Sequence, residues 1–152
     1  MHLYSLPEST RVLFELHHLK ATEARMLLFK TIQLFHGPFR SDEILTALHK
    51  QHISVHRATV FRDLDTFVVH GILTELAVRG VKARLFERAD EPHPVHFVCS
   101  SCGVTALNLP ELETSIQQEV SMLANRGYAT KSYGIKIYGK CPACQGRKKG
   151  KI

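Results

Sequence analysis

Two Cys-x-x-Cys pairs, Cys99-Ser-Ser-Cys102 and Cys141-Pro-Ala-Cys144, hold all four cysteines of this 152-residue chain and constrain its C-terminal part more tightly than any other feature. Four soft ligands are the number zinc takes when it is closed off in tetrahedral geometry. Each pair sets two sulfurs on one side of a tight turn, and Gly103 and Pro142 suit such knuckles. A thioredoxin-type redox motif would need one pair at a helix start in a βαβ context, whereas the first pair lies between two strand-like runs. Structural zinc on Cys99, Cys102, Cys141 and Cys144 is therefore the expectation, with disulfides or redox chemistry as the lesser alternatives. Four thiolates leave no open position for water, so such a zinc is not catalytic. It would close a long loop and tie the segment between the pairs shut.

That segment needs a staple. "VHFVC", "VTALNL" and "SYGIKIYG" read as strands, and Leu112, Ile116, Val120 and Leu123 recur as an amphipathic helix over Glu111 to Asn125, after Pro110. Some sixty residues with one helix and three strands bury too little apolar surface to be comfortable alone, so a metal or a partner chain is expected.

The first 75 or so residues read differently, as short helices. Leu28, Ile32 and Phe35 follow Thr22 as a possible cap; Ile44, Leu45 and Leu48 follow Ser41, with Asp42 and Glu43 in the first turn; Val60, Leu64, Phe67 and Val68 form a third stripe. Three helices with tight breaks make a compact bundle. After Gly71, "ILTELAV" and "ARLFERA" look like two strands around the Arg79-Gly80-Val81-Lys82 turn. The predicted fold class is α+β: an N-terminal winged helix-turn-helix domain over residues 1–87, a proline-bearing linker over 88–94, and a small α/β domain with structural zinc over 95–152.

Charge narrows the choice of partner. The formal net charge is +6, but the terminal "RKKGKI" supplies four of those charges, and four thiolates with one zinc would cancel the remaining two. Any nucleic-acid binding must come from a local patch, and the tail reads as a solvated end. No run of eighteen apolar residues occurs, and the first residues lack the basic start and apolar core of a secretory signal. The expectation is a cytoplasmic protein with no membrane partner and no small-molecule substrate.

His93 and His96 stand apart from the cysteines. On a strand beginning near Val95, His96 shares a face with Val98 and Cys99 shares the other with Phe97, so two separate sites are permitted. Two imidazoles and a carboxylate from Glu87, Asp90 or Glu91 make a borderline site for zinc, iron(II), manganese or nickel.

The run "SVHRATVFRDLDTFVVHGIL", the wing, "HPVHFVCSSCG" and "YGKCPAC" together resemble the ferric uptake regulator family of metal-responsive repressors, over about Lys20 to Cys144. Ala58-Thr59-Val60-Phe61-Arg62 is similar to that family's recognition-helix Ala-Thr-Val-Tyr-Arg. The resemblance implies a homodimer in which each subunit reads double-stranded operator DNA with a winged helix and pairs through its C-terminal domain, so that residues 88–94 are a hinge and 95–152 an α/β dimerisation domain. It also implies a second, regulatory divalent ion, Zn2+ or Fe2+ (or Mn2+ or Ni2+), near the hinge. Glu87 falls on the hinge carboxylate and His93 and His96 on two regulatory histidines, while Phe39 and Tyr133 stand where relatives often have histidines; His70 or His36 would supply a fourth ligand. A recognition helix beginning near Ser54 would present His56, Arg57, Thr59, Phe61 and Arg62 to DNA, and Lys20 and Arg25 match backbone or minor-groove positions. The expected function is a metal-dependent transcriptional repressor of metal-uptake or metal-homeostasis genes on pseudo-palindromic operators, and not an enzyme. A peroxide-sensing repressor of the same family and, in another class, a zinc-thiolate redox protein are the alternatives.

Overall fold

The computed structural model describes residues 8–79, 81–107, 109–131 and 133–146; Gly80 of the expected wing turn and the basic tail from Arg147 lie outside them. Contacts divide the described residues into two compact units, one running through Ala77 with Lys82–Pro92, the other comprising Val78–Val81 and the chain from His93.

The first unit holds four helices rather than three: α1 (Glu8–Leu16), α2 (Glu23–Ile32), α3 (Ser41–Lys50) and α4 (Arg57–Val69). The unforeseen α1 carries Phe14, whose ring meets Phe29 of α2 edge-on at 5.5 Å and lies 5.8 Å from Phe67 of α4. Its stripe was too short for periodicity alone to show. Leu28, Ile32, Ile44, Leu48, Val60 and Leu64 complete the interior, so each of the three expected stripes faces inward. Thr22 caps α2 by accepting from the Arg25 N–H at 3.3 Å. Ser41 is the first helical residue of α3 rather than its cap, and the Glu43 carboxylate accepts instead from the Arg40 N–H at 2.6 Å. The recognition helix starts at Arg57, three residues after Ser54, with His56 as N-cap.

Three helices of this unit stop by one device. At each, a residue in the left-handed region lets its own N–H and that of the next residue turn back onto carbonyls of the last turn, the Schellman arrangement. His18 (φ 52°) ends α1, with Leu19 N–H on the Phe14 carbonyl at 2.7 Å; His52 (φ 56°) ends α3, with Ile53 N–H on Leu48; Gly71 (φ 70°) ends α4, with Ile72 N–H on Phe67 at 2.8 Å.

A three-stranded sheet flanks the bundle in the order β1-β3-β2, from β1 (Phe39–Arg40), β2 (Leu73–Leu76) and β3 (Leu85–Arg88). The two expected strands pair antiparallel, Leu73 with Arg88 and Leu76 with Leu85, and the two-residue β1 adds to β3 with Phe39 opposite Phe86. Arg84 ties the wing to the recognition helix: its guanidinium donates twice to Glu75 at 2.8 and 2.9 Å and once to Asp65 of α4 at 2.7 Å.

The second unit contains β4 (Val95–Cys99), β5 (Gly103–Ala106), α5 (Pro110–Asn125), β6 (Ile135–Gly139) and the single turn α6 (Pro142–Gln145). The sheet order is β5-β4-β6. β4 and β5 form a hairpin closed by Cys99 opposite Gly103, whereas β4 and β6 run parallel from Val95 opposite Ile135 to Cys99 opposite Gly139. No residue of α5 is buried, and Met122 and Leu123 are 49% and 40% exposed.

Candidate metal centre and nucleic-acid face

The parallel register of β4 and β6 explains how cysteines so far apart in the chain meet. Both strands run out at the same edge, so the turn after Cys99 and the turn after Gly139 lie side by side, joined by Ser100 N–H on the Gly139 carbonyl at 2.9 Å. Gly103, at φ 122°, takes a left-handed conformation where the first knuckle re-enters the sheet. The four Sγ atoms lie within 4.8 Å of one another. Cys102 and Cys141 are 3.5 Å apart, and Cys99 accepts from the Cys141 N–H at 3.4 Å. With zinc–sulfur bonds near 2.3 Å, a tetrahedral cage has edges of about 3.8 Å, so these residues fit an ion closed in by four thiolates.

The thiols are electrostatically uneven. N–H groups of Cys141, Ser101 and Cys102 aim at the Cys99 sulfur and bring its pKa down to about 6. Hydrogen bonding with Cys141, Cys99 and Cys144 pushes Cys102 up to about 12, and Cys144 is raised chiefly by Cys141. Four sulfurs this close cannot all ionise against one another. A divalent cation removes that conflict by stabilising every thiolate at once.

Among the described residues no other group of three or more His, Cys, Asp and Glu side chains gathers at ligand distance. Glu87 (4% exposed) and His70 belong to the first unit, and His93 and His96 (5% exposed) to the second. His70 is turned onto His17, with its Nδ1 2.7 Å from the His17 carbonyl. His36, the other fourth-ligand candidate, is exposed, its Nδ1 3.8 Å from Glu91.

The nucleic-acid candidates fall on one helix and its neighbour. Along α4, Val60, Leu64 and Phe67 are fully buried, while His56, Arg57 and Arg62 are exposed and Thr59 and Phe61 half-buried. The Arg57 guanidinium stacks 5.1 Å above the Phe61 ring. Lys20 is exposed. Arg25 is more engaged than its sequence position implied: its Nε donates to Asp63 of α4 at 2.9 Å and its Nη1 to the Lys20 carbonyl at 3.2 Å. Asp63 is buried, so this pair fixes the entrance of α2 against the recognition helix. Sequence reading missed Asp63 and His17. An acid on the buried side of a stripe was the signal for Asp63, and His17 offered none.

A winged-helix unit followed by a unit closed around four thiolates defines a class of two-part, metal-binding transcription factors. The ferric uptake regulator family model matches residues 17–138. The ferric uptake regulation protein of Bordetella parapertussis is 30% identical over 131 residues, covering 84% of this chain and 90% of that protein. The peroxide-responsive repressor of Staphylococcus saprophyticus is 28% identical over 129 residues, covering 83% and 82%. In fold, the Pseudomonas aeruginosa ferric uptake regulator superposes with a TM-score of 0.73 at 22% identity, over 87% of this chain and 97% of that one. The chain thus belongs to the ferric uptake regulator family of metal-responsive transcriptional regulators, and it is not an enzyme. The zinc-thiolate redox alternative is accordingly set aside.

Proposed function

We propose that this protein is a homodimeric, metal-dependent repressor acting on pseudo-palindromic operators of metal-uptake or metal-homeostasis genes. The observation that carries the reading is α4: one side is sealed into the bundle, and the other presents His56, Arg57, Thr59, Phe61 and Arg62 beside Lys20 and Arg25. Arginine forks suit guanine edges or phosphates, and the Phe61 ring suits a thymine methyl. Two such helices related by a two-fold axis require matched half-sites.

Dimerisation falls to residues 95–152. The apolar stripe of α5 has no full cover among the described residues, and β6 is an edge strand with Ile137 and Tyr138 38% and 49% exposed. An exposed apolar stripe and an unpaired sheet edge are each stabilised by a second copy. Cys99, Cys102, Cys141 and Cys144 hold structural Zn2+. Glu87, His93 and His96 are the proposed ligands of a second divalent ion, Zn2+ or Fe2+ (alternatively Mn2+ or Ni2+), at the hinge over residues 88–94; His70, expected as a fourth, is turned onto the His17 carbonyl. That ion would bind the DNA-competent arrangement better than the splayed one and shift the population by the difference.

The test is a mobility-shift experiment on a duplex selected from a random pool, with and without a chelator that leaves the cysteine-bound zinc in place. Retention lost on chelation and restored by one metal is expected; retention indifferent to the labile ion overturns metal control while leaving DNA binding intact. A second reading, a peroxide-sensing repressor, draws on the likeness to the Staphylococcus saprophyticus protein. It predicts that iron-loaded protein loses the duplex on peroxide treatment and zinc-loaded protein does not.

A further inference from the structure

His17 and His70, 53 residues apart in the chain, face each other at the ends of two helices. The His17 Nδ1 lies 2.6 Å from the His70 carbonyl, and the His70 Nδ1 lies 2.7 Å from the His17 carbonyl. Each is the C-cap residue of a helix that ends in a Schellman turn, His17 before His18 and His70 before Gly71. In that motif the C-cap carbonyl is one of the orphans that no intrahelical N–H reaches. Two helix C-termini also bring like poles together, which needs donors between them. The two imidazoles supply those donors.

A carbonyl oxygen only accepts, so both Nδ1 atoms must carry the proton, and each neutral ring keeps its lone pair on Nε2. We propose that His17 and His70 form a reciprocal clamp that joins the end of α1 to the end of the recognition helix. Both are positioning residues. The clamp holds α4 against rotation while its other end meets DNA, so α1 sets operator affinity without touching the duplex. The inference rests on the DNA-binding reading, and it gives His70 a role through Nδ1–H in place of the one as regulatory ligand.

Asparagine places an amide N–H near the position of imidazole Nδ1–H and has nothing at Nε2, so it separates the two roles. In the full-length zinc-loaded protein, His70→Ala and His17→Ala are each expected to weaken binding to the selected duplex about three- to tenfold. His70→Asn and His17→Asn should restore most of that loss, with all four variants keeping the metal stoichiometry of the parent. Equal loss in His70→Ala and His70→Asn, accompanied by one fewer bound metal, would show a ligand and overturn the clamp. Unchanged affinity in both alanine variants would overturn it as well. Long-range 15N–1H spectra of the imidazoles test it without any DNA: Nδ1–H tautomers at both residues are expected, and an Nε2–H tautomer at either sinks the proposal even should the parent select no duplex.

Discussion

The two units keep their shapes by different means. The first has a continuous apolar interior in which Phe14, Phe29 and Phe67 contact one another at 5.5 to 6.2 Å, and the whole buried cluster belongs to it. The second has a three-stranded sheet, a long helix with no buried residue, and a knot of four sulfurs at one end. Apolar burial stabilises the first from within, at roughly 25 cal/mol per Å² removed from water, while on the proposed reading the second would depend on an ion and a twin. A chain can therefore lose one half and retain the other.

The largest expected effect comes from removing the structural ion. Stripping zinc with a strong chelator under reducing conditions, or replacing Cys144 with Ser, removes a contribution of the order of 10 kcal/mol in small zinc-ordered units. Sedimentation should show monomers, and the first unit's cooperative thermal transition should persist. If one transition carries both units, the contrast drawn above is wrong. Phe67→Ala tests the opposite half: about 3–5 kcal/mol lost from the bundle, with zinc content and dimerisation retained, as read by denaturation alongside metal analysis.

Smaller and sharper is the pair Arg57→Ala and Arg62→Ala, which should cost about 1–3 kcal/mol of operator binding each while moving neither the denaturation midpoint nor the metal content. Smallest is the wing latch. The bond from Arg84 holds the Glu75 carboxyl below its ordinary value despite partial burial. A depressed folded-state carboxyl contributes above its unfolded pKa, and that contribution fades as pH falls through the lowered folded value. Both groups are 39% exposed, so screening limits the effect to less than about 1 kcal/mol. Arg84→Gln should flatten the acid limb of the stability curve by that amount, and an unchanged limb would show the latch to be energetically idle.

Local pattern carried much of this into the sequence. The stripes at Leu28, Ile44 and Val60, the strand from Val95 to Cys99 and the pairing of the two Cys-x-x-Cys motifs all follow from short-range periodicity and ligand chemistry. What stayed hidden depends on distant partners. The two-residue β1 exists because β3 lies beside it, and Arg25 reads as a free cation until Asp63 is seen beneath it. His17 and His70 meet only because two helices end alike, which no window of sequence displays.

The parallel pairing of β4 with β6 would make an ion held by the four cysteines an inspector of alignment. A slip of one residue between these strands would displace the second cysteine pair from the first by about 3.3 Å. That displacement is comparable to the whole spread of the four sulfurs, 4.8 Å at most. A misaligned sheet would then offer two ligands in place of four and hold its cation weakly. Tight retention of a cation by the four thiolates would consequently report that the strands had paired in this register.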